Sequence, residues 1–263
     1  MTKRRHRHKP ARQGVTRTLV IPDCHCPYED ALAFDTMLAA ARVYRPDIAV
    51  IIGDFADCYA VSAHPKPPER RSNLAWEIAE VNKRLDQIGR LGARRVIYCA
   101  GNHEYRFDRF IRDKAPELFG VAPNIQTLFR VRERGWEWVP YMRTIKVGKV
   151  AYTHELGRCG VNTARQTLLD YGGNIVVGHS HRAGVSYQGT IDDGGRVCMN
   201  VGWLGSVAEI DYAHHARAER DWEHGFGTVE QDRGGVAWMT FIPIIQGRCI
   251  IDGRVVSGRK RAA

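Results

Sequence analysis

The sequence predicts an α/β fold: a four-layer α/β/β/α sandwich of two packed mixed sheets. Three observations carry that prediction. The first half of the chain alternates short apolar runs with amphipathic stretches, and strand–helix–strand units imply parallel strands joined by right-handed crossovers. After residue 140 the rhythm changes to strand-like pieces separated by glycine-rich turns, which reads as a second, more antiparallel sheet. Two such sheets bury their apolar faces against each other and carry helices outside.

Taken in order, TRTLVI (16–21) is a strand, and 29–44 is a helix with Glu29 and Asp30 in its first turn, where acids are favourable. DIAVIIG (47–53) is fully apolar, as a buried parallel strand should be. HPKPPERR (64–71) is a loop. Ser72 can cap the next helix, where Leu74, Ile78, Val81, Leu85 and Ile88 recur at helical spacing before Gly89 and Gly92 end it. RRVIYCA (94–100) is a strand and YRFDRFIRD (105–113) a short helix. The second sheet takes TIKVGKVAYTH (144–154), NIVVGHS (174–180), RVCMNVGWL (196–204), FGTVE (226–230), GVAWMTFIPI (235–244) and RCIIDGRVV (248–256).

The 263 residues are 44% hydrophobic, ample for the core of one domain, read as 17–253. The net charge of +10 lies in the ends: seven Lys and Arg in residues 1–18 and four in 254–263, with no acid in either stretch. Residues 1–16 read as a disordered basic tail and 254–263 as a second basic tail; such arms often touch nucleic acid, or simply stay solvated. No apolar run approaches the roughly 18–20 residues of a membrane span, and TLVIP is too short for a signal-peptide core of about 7–15. The expectation is a soluble cytoplasmic protein with no membrane partner. Seven cysteines, an odd number with no CxxC pair, argue against a disulfide framework and a closed zinc knuckle.

Five apolar runs end in polar clusters: Asp23-Cys24-His25, Gly53-Asp54-Phe55-Ala56-Asp57, Gly101-Asn102-His103-Glu104, Thr153-His154-Glu155 and Gly178-His179-Ser180-His181. The carboxyl ends of strands are where α/β sheets gather their sites. Carboxylates, imidazoles and one amide suit divalent metals of intermediate hardness. In extended chain, residues i and i+2 point the same way, so Asp23 with His25, and His179 with His181, can each grip one ion while Cys24 and Cys26 turn into packing. Gly53, Gly101 and Gly178 precede ligand positions, where glycine permits tight turns.

In this order the clusters D-x-H, G-D-x-x-D, G-N-H-E, H and G-H-x-H resemble the calcineurin-like metallophosphoesterases, clearly over about residues 17–205. NVGWLG and DWEHGFGTVE further resemble bacteriophage-encoded members. The resemblance implies two divalent ions, manganese first, with iron, zinc or nickel as alternatives. Asp23, His25 and His181 would hold one, Asn102, His154 and His179 the other, and Asp54 would bridge them. His103 would face the substrate as the acid. Asp57 would serve in the catalytic machinery behind it, and Asp57 and Glu104 would orient histidines. His64 and Arg70, just after the Asp54 loop, are substrate-contact candidates, against the plainer reading of a solvated loop. The implied reaction is phosphodiester hydrolysis, of cyclic or small nucleotide esters or aryl diesters, by a hydroxide held between the metals. Ser/Thr phosphatases of this superfamily carry G-D-x-V-D-R-G; here Cys58 and Tyr59 follow Asp57, against a dedicated protein phosphatase. A nuclease or end-processing phosphatase, and a non-catalytic nucleic-acid-binding protein, remain alternatives.

Overall fold

The computed structural model describes residues 14–64, 66, 73–191, 194–210 and 221–258. Along the chain come β1 (Thr16–Ile21), α1 (Ala31–Tyr44), β2 (Ile48–Ile51), α2 (Leu74–Gly89), β3 (Arg95–Cys99), α3 (Asn102–Lys114), α4 (Ile125–Leu128) and β4 (Glu137–Val139). Then follow β5 (Ile145–Val147), β6 (Val150–Tyr152), α5 (Thr163–Tyr171), β7 (Ile175–Val177), β8 (Ala183–Thr190), β9 (Gly194–Val201), β10 (Gly225–Gln231), β11 (Ala237–Pro243), β12 (Arg248–Ile251) and β13 (Arg254–Ser257).

One sheet has the order β11-β10-β1-β2-β3-β4 and the other β5-β6-β7-β9-β8. Strands β1 to β4 run parallel, as do β6, β7 and β9, while the outer pairs are antiparallel. Side-chain alternation builds the layers. Val20, Val50 and Ile52 point between the sheets, where they meet Tyr152, Val176 and Met199. Leu19, Ile21 and Ile51 point the other way, onto Phe34, Met37, Val81, Leu85 and Phe107 of α1, α2 and α3. On the far side Leu168 of α5 covers Ala151, Ile175 and Val177. The result is the α/β/β/α sandwich. Among the described residues, no helix is long and apolar enough to cross a membrane.

Several expectations shift. FGTVE and GVAWMTFIPI belong to the first sheet, with β10 antiparallel to β1. The sequence marks them as strands but does not say which sheet edge receives them; β10 is buried on both faces, Phe226 toward the helices and Val229 between the sheets. β12 and β13 form a separate hairpin beside α1, to which the Thr36 hydroxyl is tied through the Gly247 carbonyl and the Gly258 N–H. That hairpin takes up Arg254–Ser257, which the sequence assigned to a tail, and β1 already begins at Thr16. Residues 1–13 and 259–263 of the tails lie outside the described residues. Asp30 is the N-cap of α1, accepting from the Ala33 N–H at 2.8 Å. Glu29, outside the helix, pairs with Arg84. Asn73 caps α2; Ser72 lies outside the described residues. The helix read at 105–113 begins three residues earlier, at Asn102.

Candidate metal centre

The parallel strands of both sheets deliver their carboxyl ends to one edge: Asp23 after β1, Asp54 after β2, Asn102 and His103 at the start of α3 behind β3, His154 after β6, and His179 and His181 after β7. Two groups of donor atoms converge there. Asp23, His25 and His181 form one, and Asp54, His154 and His179 the other, each with its donor atoms within 4.8 Å of one another. His25 Nε2 faces His181 Nε2 at 3.0 Å. Asn102 Oδ1 lies 3.1 Å from His154 Nε2 and 3.0 Å from His179 Nδ1, joining the second group. Asp54 Oδ2 stands 3.2 Å from His154 Nε2, and its Oδ1 accepts the His103 N–H at 2.8 Å. Asp54 thereby occupies the N-terminus of α3, where an anion is favoured.

The groups behind these donors set their orientation. The His154 Nδ1–H donates to the Ile52 carbonyl at 3.1 Å, which turns Nε2 toward Asp54 and Asn102. Asp57 Oδ2 holds His25 Nδ1 at 3.2 Å. The His179 N–H donates to Asp23 Oδ2 at 2.9 Å, which stitches the two sheets' loops together. Glu104 differs from expectation: among the described residues its carboxylate hydrogen-bonds no histidine. It accepts the backbone N–H groups of Asp54, Ala56 and Gly101 at 3.0, 2.9 and 2.7 Å, and the Tyr98 hydroxyl at 2.8 Å. One buried anion therefore sets the spacing of two ligand-bearing loops.

Alternation along extended chain does not explain the convergence of Asp23 with His25 or of His179 with His181. His25, Asp54, His179 and His181 have φ of 53°, 45°, 69° and 58°. Such left-handed residues cost on the order of 1–3 kcal/mol each and persist where the surroundings impose them, as at functional sites. Cys24 and Cys26 do turn into the core, fully buried. The glycines serve clearance as much as turning. Only Gly53 of the three has positive φ, 111°. A Cβ on Gly101 would lie 2.1 Å from Asp54 Oδ1, and one on Gly178 2.4 Å from Asp23 Oδ1.

Electrostatics follow from packing carboxylates and imidazoles out of water. Burial pushes Asp23 up to about 7, with His154 opposing and Asp54 adding to the rise. Burial works against charge on His154, yet Asp54 and Asp23 hold it up at about 10. Burial and the neighbouring His25 depress His181. His103 is depressed to about 4 by burial, with Arg106 and His25 adding to the fall against Asp54 and Asp57. Its tautomer follows from its partners. Arg106 Nη2 lies 2.8 Å from His103 Nε2, and an arginine only donates, so Nε2 accepts. The proton is then on Nδ1, which donates to the Asp57 carbonyl at 3.0 Å.

The donor set fits a divalent cation. Asp23 Oδ1 is fully buried and, among the described residues, has no hydrogen-bond partner, an arrangement that costs about 1–3 kcal/mol or more unless something else meets that oxygen. Mixed nitrogen and oxygen donors suit manganese, iron, zinc or nickel. His25, Asp57 and His103 form a third converging group, already engaged among themselves by the His25–Asp57 and His103–Asp57 contacts.

His64 is exposed and, among the described residues, has no hydrogen bond or ion pair to these side chains; Arg70 lies outside the described residues. Several neighbours escaped sequence reasoning. Trp203 stacks on His181 at 4.9 Å and 12°, Trp222 meets it edge-on at 4.6 Å, and the Leu204 N–H donates to the Asp23 carbonyl. Tyr141 donates to Glu155 at 2.5 Å and stacks on Tyr105, and Glu155 Oε2 lies 3.6 Å from His179 Nε2. For Trp203 the signals were its place near the end of the apolar run RVCMNVGWL and within NVGWLG.

Known proteins resemble this chain over most of its length. Two mycobacteriophage proteins, the Gene 54 proteins of Mycobacterium phages L5 and D29, are each 26% identical over 259 residues, covering 91% of this chain and 98% of theirs. Among solved structures, Vacuolar Protein Sorting 29 from Cryptosporidium parvum matches at 15% identity and a TM-score of 0.47, covering 94% of this chain and all of that one. Its Chaetomium thermophilum counterpart matches at 10% and 0.41, covering 86% and 96%. The family model for calcineurin-like phosphoesterases matches residues 16–238, a span that takes in every one of the converging donors. With most of its length matched, the chain belongs to the calcineurin-like phosphoesterase family.

Proposed function

We propose that this protein is a dinuclear metal-dependent phosphodiesterase acting on small or nucleotide diesters. The observation that carries the reading is the pair of donor groups at one sheet edge, with the buried, partnerless Asp23 Oδ1 in the first and Asp54 in the second. Asp23, His25 and His181 would hold one cation and Asn102, His154 and His179 the other, with Asp54 shared. When bound, two such ions supply Lewis-acid stabilisation of the phosphoryl oxygens and a nucleophile at neutral pH.

The chain's own groups do the rest. Asp57 and the Ile52 carbonyl hold the rings of His25 and His154 with Nε2 forward. Glu104 keeps the Asp54 and Gly101 loops in place. His103, beside Asp54 and Asp57, is neutral at rest; a phosphate anion alongside favours its charged form and so its service as proton donor to the leaving oxygen.

Charge favours a diester. Cys58, buried with φ of 52°, and Tyr59 follow Asp57 in place of an arginine. A diester carries one negative charge where a monoester carries nearly two at neutral pH. Tyr105 and Tyr141, stacked at 5.4 Å beside the His179 side of the centre, offer an aromatic surface suited to a nucleobase or aryl group.

The test is a panel assayed with manganese-loaded protein: mono- and bis-p-nitrophenyl phosphate, 2′,3′- and 3′,5′-cyclic nucleotides, and single- and double-stranded DNA and RNA. A higher kcat/KM for the bis ester than for the mono ester is expected. A tenfold preference for the mono ester would overturn the diester assignment. No hydrolysis of any substrate by protein carrying both metals would overturn the enzyme reading.

A further inference from the structure

Arg106 stands out among charged groups that the proposed chemistry leaves unused. It lies three residues after His103 on α3, hence on the same helix face, and is 8% exposed. Its Nη2 donates to His103 Nε2 at 2.8 Å. Its Nη1 donates to the Asp57 carbonyl at 3.0 Å and lies 3.3 Å from Asp57 Oδ1. His103 Nε2 is in turn 3.8 Å from Asp54 Oδ2, so the guanidinium is two short contacts from the shared carboxylate of the metal centre.

This geometry has a chemical consequence. Arg106 sits on the lone pair of His103 Nε2, the direction through which His103 would deliver a proton. While that contact lasts, His103 donates nothing from Nε2. An imidazole lone pair is a weak acceptor for a permanently charged fork, and a phosphoryl oxygen is a much better one. The Nη1 anchor on Asp57 does not depend on the Nη2 contact, so the fork can exchange one partner and keep the other. A guanidinium has five N–H groups, and those on Nη1 and Nη2 are enough to hold Asp57 and a phosphate oxygen together.

We propose that Arg106 is the phosphate-contacting guanidinium of this site, trading His103 Nε2 for a non-bridging phosphoryl oxygen when substrate binds while staying anchored on Asp57. The exchange places a fixed positive charge on the phosphoryl group and frees the His103 Nε2 lone pair, which takes up a proton from water beside the phosphate anion and passes it to the leaving oxygen. The guanidinium stays partly neutralised by Asp57, so it adds less charge than a free arginine would, in keeping with a singly charged diester. The inference rests on the phosphoesterase reading above.

The experiment measures inorganic phosphate binding to manganese-loaded protein by calorimetry, for wild type, Arg106→Gln and Arg106→Lys, with metal content and Tm alongside. Expected is a loss of phosphate affinity of about tenfold to a hundredfold in Arg106→Gln, a smaller loss in Arg106→Lys, and unchanged metal content. KM for bis-p-nitrophenyl phosphate should rise in the same order. If the wild type binds phosphate and hydrolyses the diester but both variants bind phosphate as tightly as it does, the Arg106 assignment is wrong and the phosphoesterase reading stands. If the variants lose Tm or metal while phosphate affinity per loaded site is unmoved, Arg106 is only a strut for Asp57 and His103. A metal-loaded wild type that neither binds phosphate nor hydrolyses the diester overturns both.

Discussion

Asp54→Asn is expected to abolish hydrolysis, lowering kcat/KM by at least about 10³-fold, and to reduce bound metal from two ions per chain to one or fewer. The substitution is nearly isosteric. Its side-chain oxygen can still accept the His103 N–H that Asp54 Oδ1 now accepts at 2.8 Å, so the start of α3 should survive. What is lost is charge. Burial alone would raise the Asp54 pKa, yet His103, His154 and His25 hold it well below the ordinary carboxylate range, so the group is an anion in the folded chain. A neutral amide cannot supply the anionic charge that two neighbouring cations would share. Metal analysis with steady-state kinetics on the bis ester checks this; a variant with full metal content and wild-type turnover would remove Asp54 from the centre.

His103→Ala is expected to lower kcat by about 10²–10⁴ while metal content stays at the wild-type level. The ring touches Asp57 and Arg106 rather than completing either donor group that holds Asp23 or His154. The sequence-based expectation of a protonated donor needs one refinement. At neutral pH the resting imidazole is uncharged, held near a pKa of about 4 by burial with Arg106 and His25 adding to the depression. Donation therefore requires the substrate anion to arrive first. Equal loss of metal and activity in His103→Ala would make the residue a ligand instead, as its place in the His25–Asp57–His103 group would allow.

Much of this was legible in the sequence because the governing signals are local. An apolar run of four to six residues followed by Asp, Asn or His marks a strand end, and such ends in parallel strands meet at one edge. Asp23, His25 and His181 converge, as do Asp54, His154 and His179, and a third group of His25, Asp57 and His103 lies beside them. What was not legible was conformational and nonlocal. Left-handed φ at His25, His179 and His181 is set by the surrounding loops, so simple alternation does not account for how these side chains come together. Glu104 follows His103 directly, yet its partners are backbone N–H groups some fifty residues away as well as close at hand. The Trp203 stack on His181 needs β9 to lie beside β7, and β10–β11 could be placed only by the free edge of β1. Arg106 was hidden among several arginines of α3, distinguished only by its spacing of three from His103.

The most direct measurement is an anomalous difference map from crystals grown with manganese. Two peaks are expected, one among Asp23, His25 and His181, the other among Asn102, His154 and His179, with Asp54 reaching both. A single peak, a peak within the His25–Asp57–His103 group, or metal held by the thiols of Cys24 and Cys26 would contradict the two-ion centre.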